Sequence, residues 1–303
     1  MRLPPPSVTR SLEVISNTPV VRLQHVVPSH CAQIFLKIES TNPTGSYKDR
    51  MAKSMIEEAE RRGDLKPGTT IVEATGGSTG SSLAFVCAVE GYRFHLRTMA
   101  AFGANLDLIH SPSGKITSTL IPSMIRHAEE VSRSDGYYFT NQFKNRDALV
   151  GYETIGRELV QQVPEIDAFC GAVGTAGMVM GVARVPKAKR PETLISVLEP
   201  AFSPTITQGR PGTHHVEGIG IGIIPPLLDR QLYDEALAIS EDEGRRMCRR
   251  LARQEGLLVG TSTGLNVVAA IKLARKLGSG KTVVTVAADT GLKYLMGDLF
   301  TDE

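Results

Sequence analysis

Short runs rich in β-branched residues alternate along the chain with segments whose apolar residues recur at helical spacing. The runs TIVEA (70–74), YRFHL (92–96), LDLI (106–109), DAFCGAV (167–173), LISVLEP (194–200) and TVVTVAA (282–288) read as buried strands. Between them, DRMAKSMIEEAERRG (49–63) places Met51, Met55, Ile56 and Ala59 on one helical face and stops at Gly63. SSLAFVCAVEG (81–91) is mostly apolar, as expected of a buried helix, and ends at Gly91. Ser240 and Glu243 form a capping box for a helix that runs to Gly256. Strand–helix alternation of this kind predicts an α/β fold with mostly parallel sheets. The Pro/Gly-rich stretch 203–215 reads as an ordered loop, and no internal repeat is visible.

Composition narrows the classes. At 303 residues the chain has room for about two domains of roughly 150 residues each. Lys plus Arg number 34 and Asp plus Glu 32, a net charge of +2, so the excess of one sign that a nucleic-acid or membrane-surface binder needs is missing. No apolar run approaches the roughly 20 residues of a membrane span, and the opening MRLPPPSVTR lacks the apolar core of a secretory signal. Cys31, Cys87, Cys170 and Cys248 are far apart, with neither metal-site nor disulfide-framework spacing. The expectation is reduced, mostly buried thiols in a cytoplasmic protein.

Three Gly/Ser/Thr-rich loops stand at strand-to-helix junctions, the edge of an α/β sheet where ligands bind. The first, TNPTGSYKDR (41–50), presents Lys48 at the mouth of a helix. Helix N-termini repel cations, so a lysine there is easier to understand if its charge is removed, as in a Schiff base. The second, EATGGSTGSS (73–82), suits a carboxylate or phosphate through its amides and hydroxyls. The third, GAVGTAGMVMG (171–181), could cradle a phosphate in the same way. Each loop alone could equally be a tight turn. GSGKT (278–282) precedes a strand and lacks the first glycine of a P-loop, and GAVGTAG is not the dinucleotide fingerprint GxGxxG. His214, His215 and Glu217 lack metalloprotease spacing and read as solvated or loop-packing residues.

Together these loops resemble the fold-type II pyridoxal-phosphate (PLP) enzymes, in particular the cysteine synthase and cystathionine β-synthase family. The resemblance runs from LEVISNTPVVRL (12–23) to TGLKYL (290–295), with NPTGSYKDR as its most specific motif and GIGIGIIPPLLD (218–229) and EGLLVGTSTG (255–264) in the same order. It implies two three-layer α/β domains like the tryptophan synthase β-subunit, with the active site between them. Residues 42–147 would form the smaller domain, with a mobile substrate-binding part. Residues 1–41 and 148–303 would form the larger, PLP-binding one. Lys48 would hold PLP as an internal aldimine and act as the catalytic base. Gly174, Thr175, Ala176, Gly177 and Met178 would surround the phosphate, and Ser78 would stand near the cofactor. Thr290 would bond the pyridine nitrogen. Thr75, Gly76, Gly77, Ser78, Thr79 and Gln142 would bind the substrate carboxylate, with Gly220 and Gly222 at the entrance. Asp289 is the rival for the pyridine nitrogen; neighbours on an extended segment point opposite ways, so only one of the two can face the ring.

The chemistry so implied is β-replacement through an α-aminoacrylate, with an O-acetylserine-type donor and sulfide or a thiol giving cysteine or an analogue. A neutral Thr290 at the ring favours immediate expulsion of a β-leaving group over a long-lived carbanion. Elimination or deamination of serine, threonine or cysteine is the alternative, and a non-catalytic homologue is a third. The expected partners are a small amino acid, sulfide or thiol, and a second copy of the chain in a homodimer; neither nucleic acid nor membrane is expected. Ser78, Ala176 and Met178 stand where the family commonly has Asn, Gly and Thr. The connection at Leu96–Arg97 is shorter than the family's usual loop and helix start. No haem-type Cys/His stretch precedes residue 12, which tilts the resemblance toward the cysteine synthases.

Overall fold

The computed structural model describes residues 7–75, 77–95 and 120–301. The strand expected at 106–109 and the short connection at Leu96–Arg97 lie outside those residues. A six-stranded sheet has the order β1 (Val20–Arg22), β2 (Gln33–Ile38), β9 (Thr282–Ala287), β6 (Ala168–Ala172), β7 (Leu194–Pro200), β8 (Glu235–Ile239). A three-stranded sheet has the order β4 (Arg93–His95), β3 (Thr70–Val72), β5 (Tyr137–Phe139). Among the described strand pairs of these sheets, only β1 on β2 is antiparallel; the others are parallel.

Alternation along the strands divides the core. Phe169, Val197 and Val284 pack with Tyr152 and Ile155 of α4 (Asp147–Gln162) and Val179 and Val182 of α5 (Gly177–Lys189). Their neighbours Cys170, Leu198 and Val283 pack with Met247 and Cys248 of α7 (Glu241–Arg250) and Val267 of α8 (Thr261–Leu277). A period of two therefore puts helices on both faces of the large sheet. The small sheet repeats the arrangement. Ile71 and Phe94 join Met51 and Met55 of α1 (Lys48–Arg62) and Leu83 of α2 (Ser78–Glu90). Val72 and Ala74 pack with Met124 and Ile125 of α3 (Leu120–Val131).

The chain crosses from the large sheet to the small one on α1 and returns on α4. These helices touch backbone to backbone: a Cβ on Gly151 would lie 2.4 Å from the Arg50 carbonyl oxygen. Their junction holds a buried ionic network. Arg50 donates from Nε and Nη2 to Glu39 at 2.7 Å each and from Nη1 to Glu158 at 2.6 Å, and Lys37 donates to Glu158 at 2.6 Å.

Helix ends follow the residues that cap them. α1 stops where Gly63 adopts φ +79°, and its start is one residue earlier than its apolar pattern implies. α2 begins at Ser78, three residues before the apolar run. The Ser240 hydroxyl accepts the Glu243 amide as expected, but the regular helix ends at Arg250 and a π-helical turn over Leu251–Glu255 leads to Gly256. The stretch 203–215 is irregular apart from one turn, α6 (Thr205–Gln208). Cys87, Cys170 and Cys248 are buried free thiols and Cys31 is half-buried. Among the described residues no helix is long and apolar enough to cross a membrane.

Candidate active site

Four connections meet at the carboxyl ends of parallel strands: those following β2, β3, β6 and β9. They enclose a cavity of about 370 Å³ lined by Lys48, Thr75, Gly77, Ser78, Thr79, Gln142, Thr175 and Asp289, among others. That volume is in the ordinary range for a small-molecule or cofactor site.

Lys48 is the first residue of α1, and its neighbours fix it. Asp49 accepts the Thr44 amide at 2.8 Å and the Thr44 hydroxyl at 2.5 Å, which closes the preceding loop. Arg50 is held by the ionic network described above. The chain on both sides of Lys48 is thus anchored, and its side chain is directed into the cavity. Its Nζ donates to Gln142 Oε1 at 3.3 Å. Burial pushes the Lys48 ammonium down to about 8, with the Glu73 carboxylate acting the other way. A neutral amine is therefore accessible near neutral pH, as a nucleophile toward carbonyl groups requires.

The loop after β3 leads into α2. Thr75 Oγ1 accepts the Gly77 amide at 3.3 Å, and Thr79 Oγ1 donates to Gln142 Oε1 at 2.8 Å. Gln142 Nε2 in turn donates to the Ala74 carbonyl at 3.2 Å. Beneath them lies Glu73, a buried carboxyl that accepts from the Ala74 and Gln142 amides and the Thr140 hydroxyl at 2.7–2.9 Å. Burial raises Glu73 to about 7 despite those bonds. It ties the loop after β3 to the segment that carries Gln142. The first turn of α2 has amides without intrahelical partners and a positive partial charge, so this end of the cavity suits a carboxylate. Gly76 lies outside the described residues.

The loop after β6 turns through Ala176 at φ +66° into α5. Thr175 lines the cavity and accepts the Gly177 amide on Oγ1 at 3.4 Å. Gly174 is required by close packing: a Cβ there would lie 2.1 Å from the Gly218 carbonyl oxygen. Met178 is buried against Gly171 and is not a cavity-lining residue. The segment 217–221 forms the facing wall through Glu217, Gly218, Ile219 and Ile221. Gly220 sits within it at φ +60°, and its carbonyl pairs with His214 Nε2 at 2.8 Å. Gly222 follows at φ +78°.

At the far end, after β9, parity decides which neighbour faces inward. Asp289 lines the cavity: its Oδ2 accepts the Tyr294 hydroxyl at 2.7 Å, while its buried Oδ1 has no hydrogen-bond partner among the described residues. Burial raises the Asp289 carboxyl to about 6. Thr290 points toward Gly45, and its Oγ1 accepts the Leu292 amide at 3.3 Å as the cap of a short 3₁₀ turn. Sequence reasoning weighed Asp289 against Thr290 but had no signal for Tyr294, which that turn brings to the wall. Nor did it single out Glu73, or Glu217 as a wall residue. Ser78 Oγ accepts from Lys293 Nζ at 2.8 Å, a contact across 215 positions of chain. Withdrawal from water lowers the Lys293 pKa, and the carboxylates of Asp289, Asp49 and Glu217 act against that shift.

The arrangement is that of an enzyme whose buried amine captures a phosphorylated aldehyde. Residues 12–289 match the family of pyridoxal-phosphate dependent enzymes. The chain belongs to that family, its fold is fold type II, and pyridoxal phosphate is its cofactor. It is similar to the cysteine synthase of Staphylococcus aureus (strain Mu50 / ATCC 700699), with 41% identity covering 95% of this chain and 96% of the relative. Among solved structures it is similar to O-acetyl serine sulfhydrylase isoform 3 from Entamoeba histolytica. That match has a TM-score of 0.92 and 32% identity, over 100% of this chain and 95% of that one. It is also similar to an O-ureido-L-serine synthase, with a TM-score of 0.89 and 33% identity over 98% and 97%. The cavity fits the cofactor on its own terms. It offers a buried amine of lowered pKa for the aldehyde and the start of α5 for the phosphate. At the opposite end it holds an unpartnered buried carboxyl oxygen.

Proposed function

We propose that the protein catalyses β-replacement on an O-acetylserine-type amino acid, with sulfide or a thiol as the incoming group. The observation that carries this reading is one cavity lined by Lys48 together with Thr75, Gly77, Ser78, Thr79 and Gln142. Bound pyridoxal phosphate supplies an electron sink for the amino acid's Cα. Lys48 would hold the cofactor through its ε-amine. Its Nζ, when free, would take the Cα proton of the substrate, and a pKa near 8 suits a general base working close to neutrality. Amides and hydroxyls of residues 75–79 and Gln142 hold the substrate carboxylate and so fix which Cα bond is aligned for cleavage. Residues 174–178 at the start of α5 would hold the phosphate; with Met178 buried behind the loop, backbone amides and Thr175 would carry that contact. Ile121, Met124, Phe143, Ile219 and Ile221 give the cavity an apolar wall that limits water. In this reading 42–147 is the smaller domain, 1–41 with 148–303 is the larger, and two copies form a homodimer.

Thr290, the ring-nitrogen partner that the resemblance implies, caps the turn after β9 and does not line the cavity. One observation favours the alternative of β-elimination: Asp289, not Thr290, lines the cavity, with a free carboxyl oxygen. A carboxylate at the ring nitrogen would keep it protonated and prolong the carbanion. Incubation with O-acetylserine and sulfide separates the two. Replacement predicts cysteine and acetate in equal amounts, whereas keto acid and ammonia as the main products would overturn it.

A further inference from the structure

Glu73 is the residue by which the chain leaves β3, and it is buried together with Thr140 and Gln142. Its two oxygens have different partners. Oε1 accepts the Ala74 amide at 2.8 Å, and Oε2 accepts the Thr140 hydroxyl at 2.7 Å and the Gln142 amide at 2.9 Å. The Gln142 side chain closes a ring: its Nε2 donates to the Ala74 carbonyl at 3.2 Å, and its Oε1 accepts from Thr79 at 2.8 Å and from Lys48 at 3.3 Å. Between Thr140 and Gln142 stands Asn141 at φ +49°, its buried Oδ1 without a hydrogen-bond partner among the described residues. A residue other than glycine stays in that conformation only where its surroundings hold it. Both neighbours of Asn141 are bonded to the same oxygen of Glu73.

Resting on the proposed function, in which residues 75–79 and Gln142 take the substrate carboxylate, we infer that Glu73 is the positioning residue for that contact. Glu73 does not line the cavity and touches no reacting atom. Its oxygens are turned to Ala74, Thr140 and Gln142, so it leaves the amides at the start of α2 to the substrate. It fixes the start of the loop after β3 and the strained turn that presents Gln142 at one separation. The substrate carboxylate then meets partners already in place, and binding carries no cost for ordering them. An amide cannot replace the carboxylate here. Glutamine has one acceptor oxygen, so whichever way it turns, its NH₂ group faces the N–H of Ala74 or that of Gln142. One buried backbone amide then loses its partner, and the ring opens on that side.

The test uses the PLP-loaded protein and two ligands without a leaving group, L-alanine and L-alaninamide, in which an amide replaces the carboxylate. Binding of each is read from the change in coenzyme absorbance and expressed for the neutral amine. The native protein should bind L-alanine at least tenfold more tightly than L-alaninamide. Glu73→Gln should weaken L-alanine at least tenfold and L-alaninamide less than threefold, with coenzyme uptake unchanged. With O-acetylserine and sulfide the loss should fall on KM, leaving kcat within threefold. Should Glu73→Gln not fold, Thr140→Val carries the test, because it keeps the carboxylate and removes only the hydroxyl bond. It should weaken L-alanine at least threefold and leave L-alaninamide unchanged. Equal weakening of the two ligands, or no weakening of L-alanine, would overturn the role of Glu73. Equal binding of the two by the native protein would instead remove the carboxylate assignment, and the role of Glu73 with it. Keto acid and ammonia from O-acetylserine and sulfide would remove β-replacement alone, and the two titrations would still decide the part played by Glu73.

Discussion

At the scale of single residues, Lys48 matters most, and its environment sets a pH dependence. Its ordinary value lies near 10.4, and burial brings it to about 8. Only the neutral amine attacks an aldehyde, so the rate of coenzyme capture by the apo-protein should rise about tenfold per pH unit below 8 and level off above it. Stopped-flow absorbance on mixing with pyridoxal phosphate reads this directly; a rise continuing unbroken to pH 10 would show that the amine is not perturbed. Ala176 gives a second prediction. It is buried at φ +66°, a region that a β-branched side chain tolerates poorly. Ala176→Val should cost about 2 kcal/mol in a denaturant titration and slow phosphate capture, through strain of the left-handed turn and crowding at a buried site. Lys48 was legible in the sequence because a lysine at the mouth of a helix after a polar loop conflicts with the helix dipole. The choice between Asp289 and Thr290 was not. Alternation says that one of two neighbours faces inward, and only the register of β9 and the turn at Gly291–Tyr294 decide which.

At the scale of elements, α1 is a positioning device. Its first turn carries Lys48, Asp49 and Arg50, and the last two are held by Thr44, Glu39 and Glu158. Removing Arg50 leaves the buried Glu39 carboxylate without its cation. Arg50→Met should therefore destabilise the protein by about 3–5 kcal/mol, measured as a lower urea midpoint at unchanged slope. A loss under 1 kcal/mol would mean that the network is not holding α1. Elements with uninterrupted apolar runs were readable: Leu194–Pro200 falls where its sequence pattern places it, and Thr282–Ala287 ends one residue short. Glu235–Ile239 was not, because EALAI consists mostly of good helix formers and becomes a strand only by pairing with β7. Tyr137–Phe139 is too short for a period to be seen. The Lys37–Glu39–Arg50–Glu158 network was also invisible, since its members are scattered in sequence and meet only when α1 packs on α4.

At the scale of the whole molecule, two mostly parallel sheets place four connecting loops around one cavity, and the alternation of short strands with helices already foretold sheets of that kind. The near-balance of charge agrees with a small-molecule enzyme, whose electrostatics are concentrated inside the site rather than spread over a face. On the proposed function, the ε-amine of residue 48 bears the coenzyme. Borohydride reduction of the coenzyme-loaded protein, followed by peptide mapping, tests this. A reduced pyridoxyl group on Lys48 and an unlabelled Lys48→Ala variant are expected. Label on another lysine, or an unmodified Lys48 in the loaded protein, would contradict it.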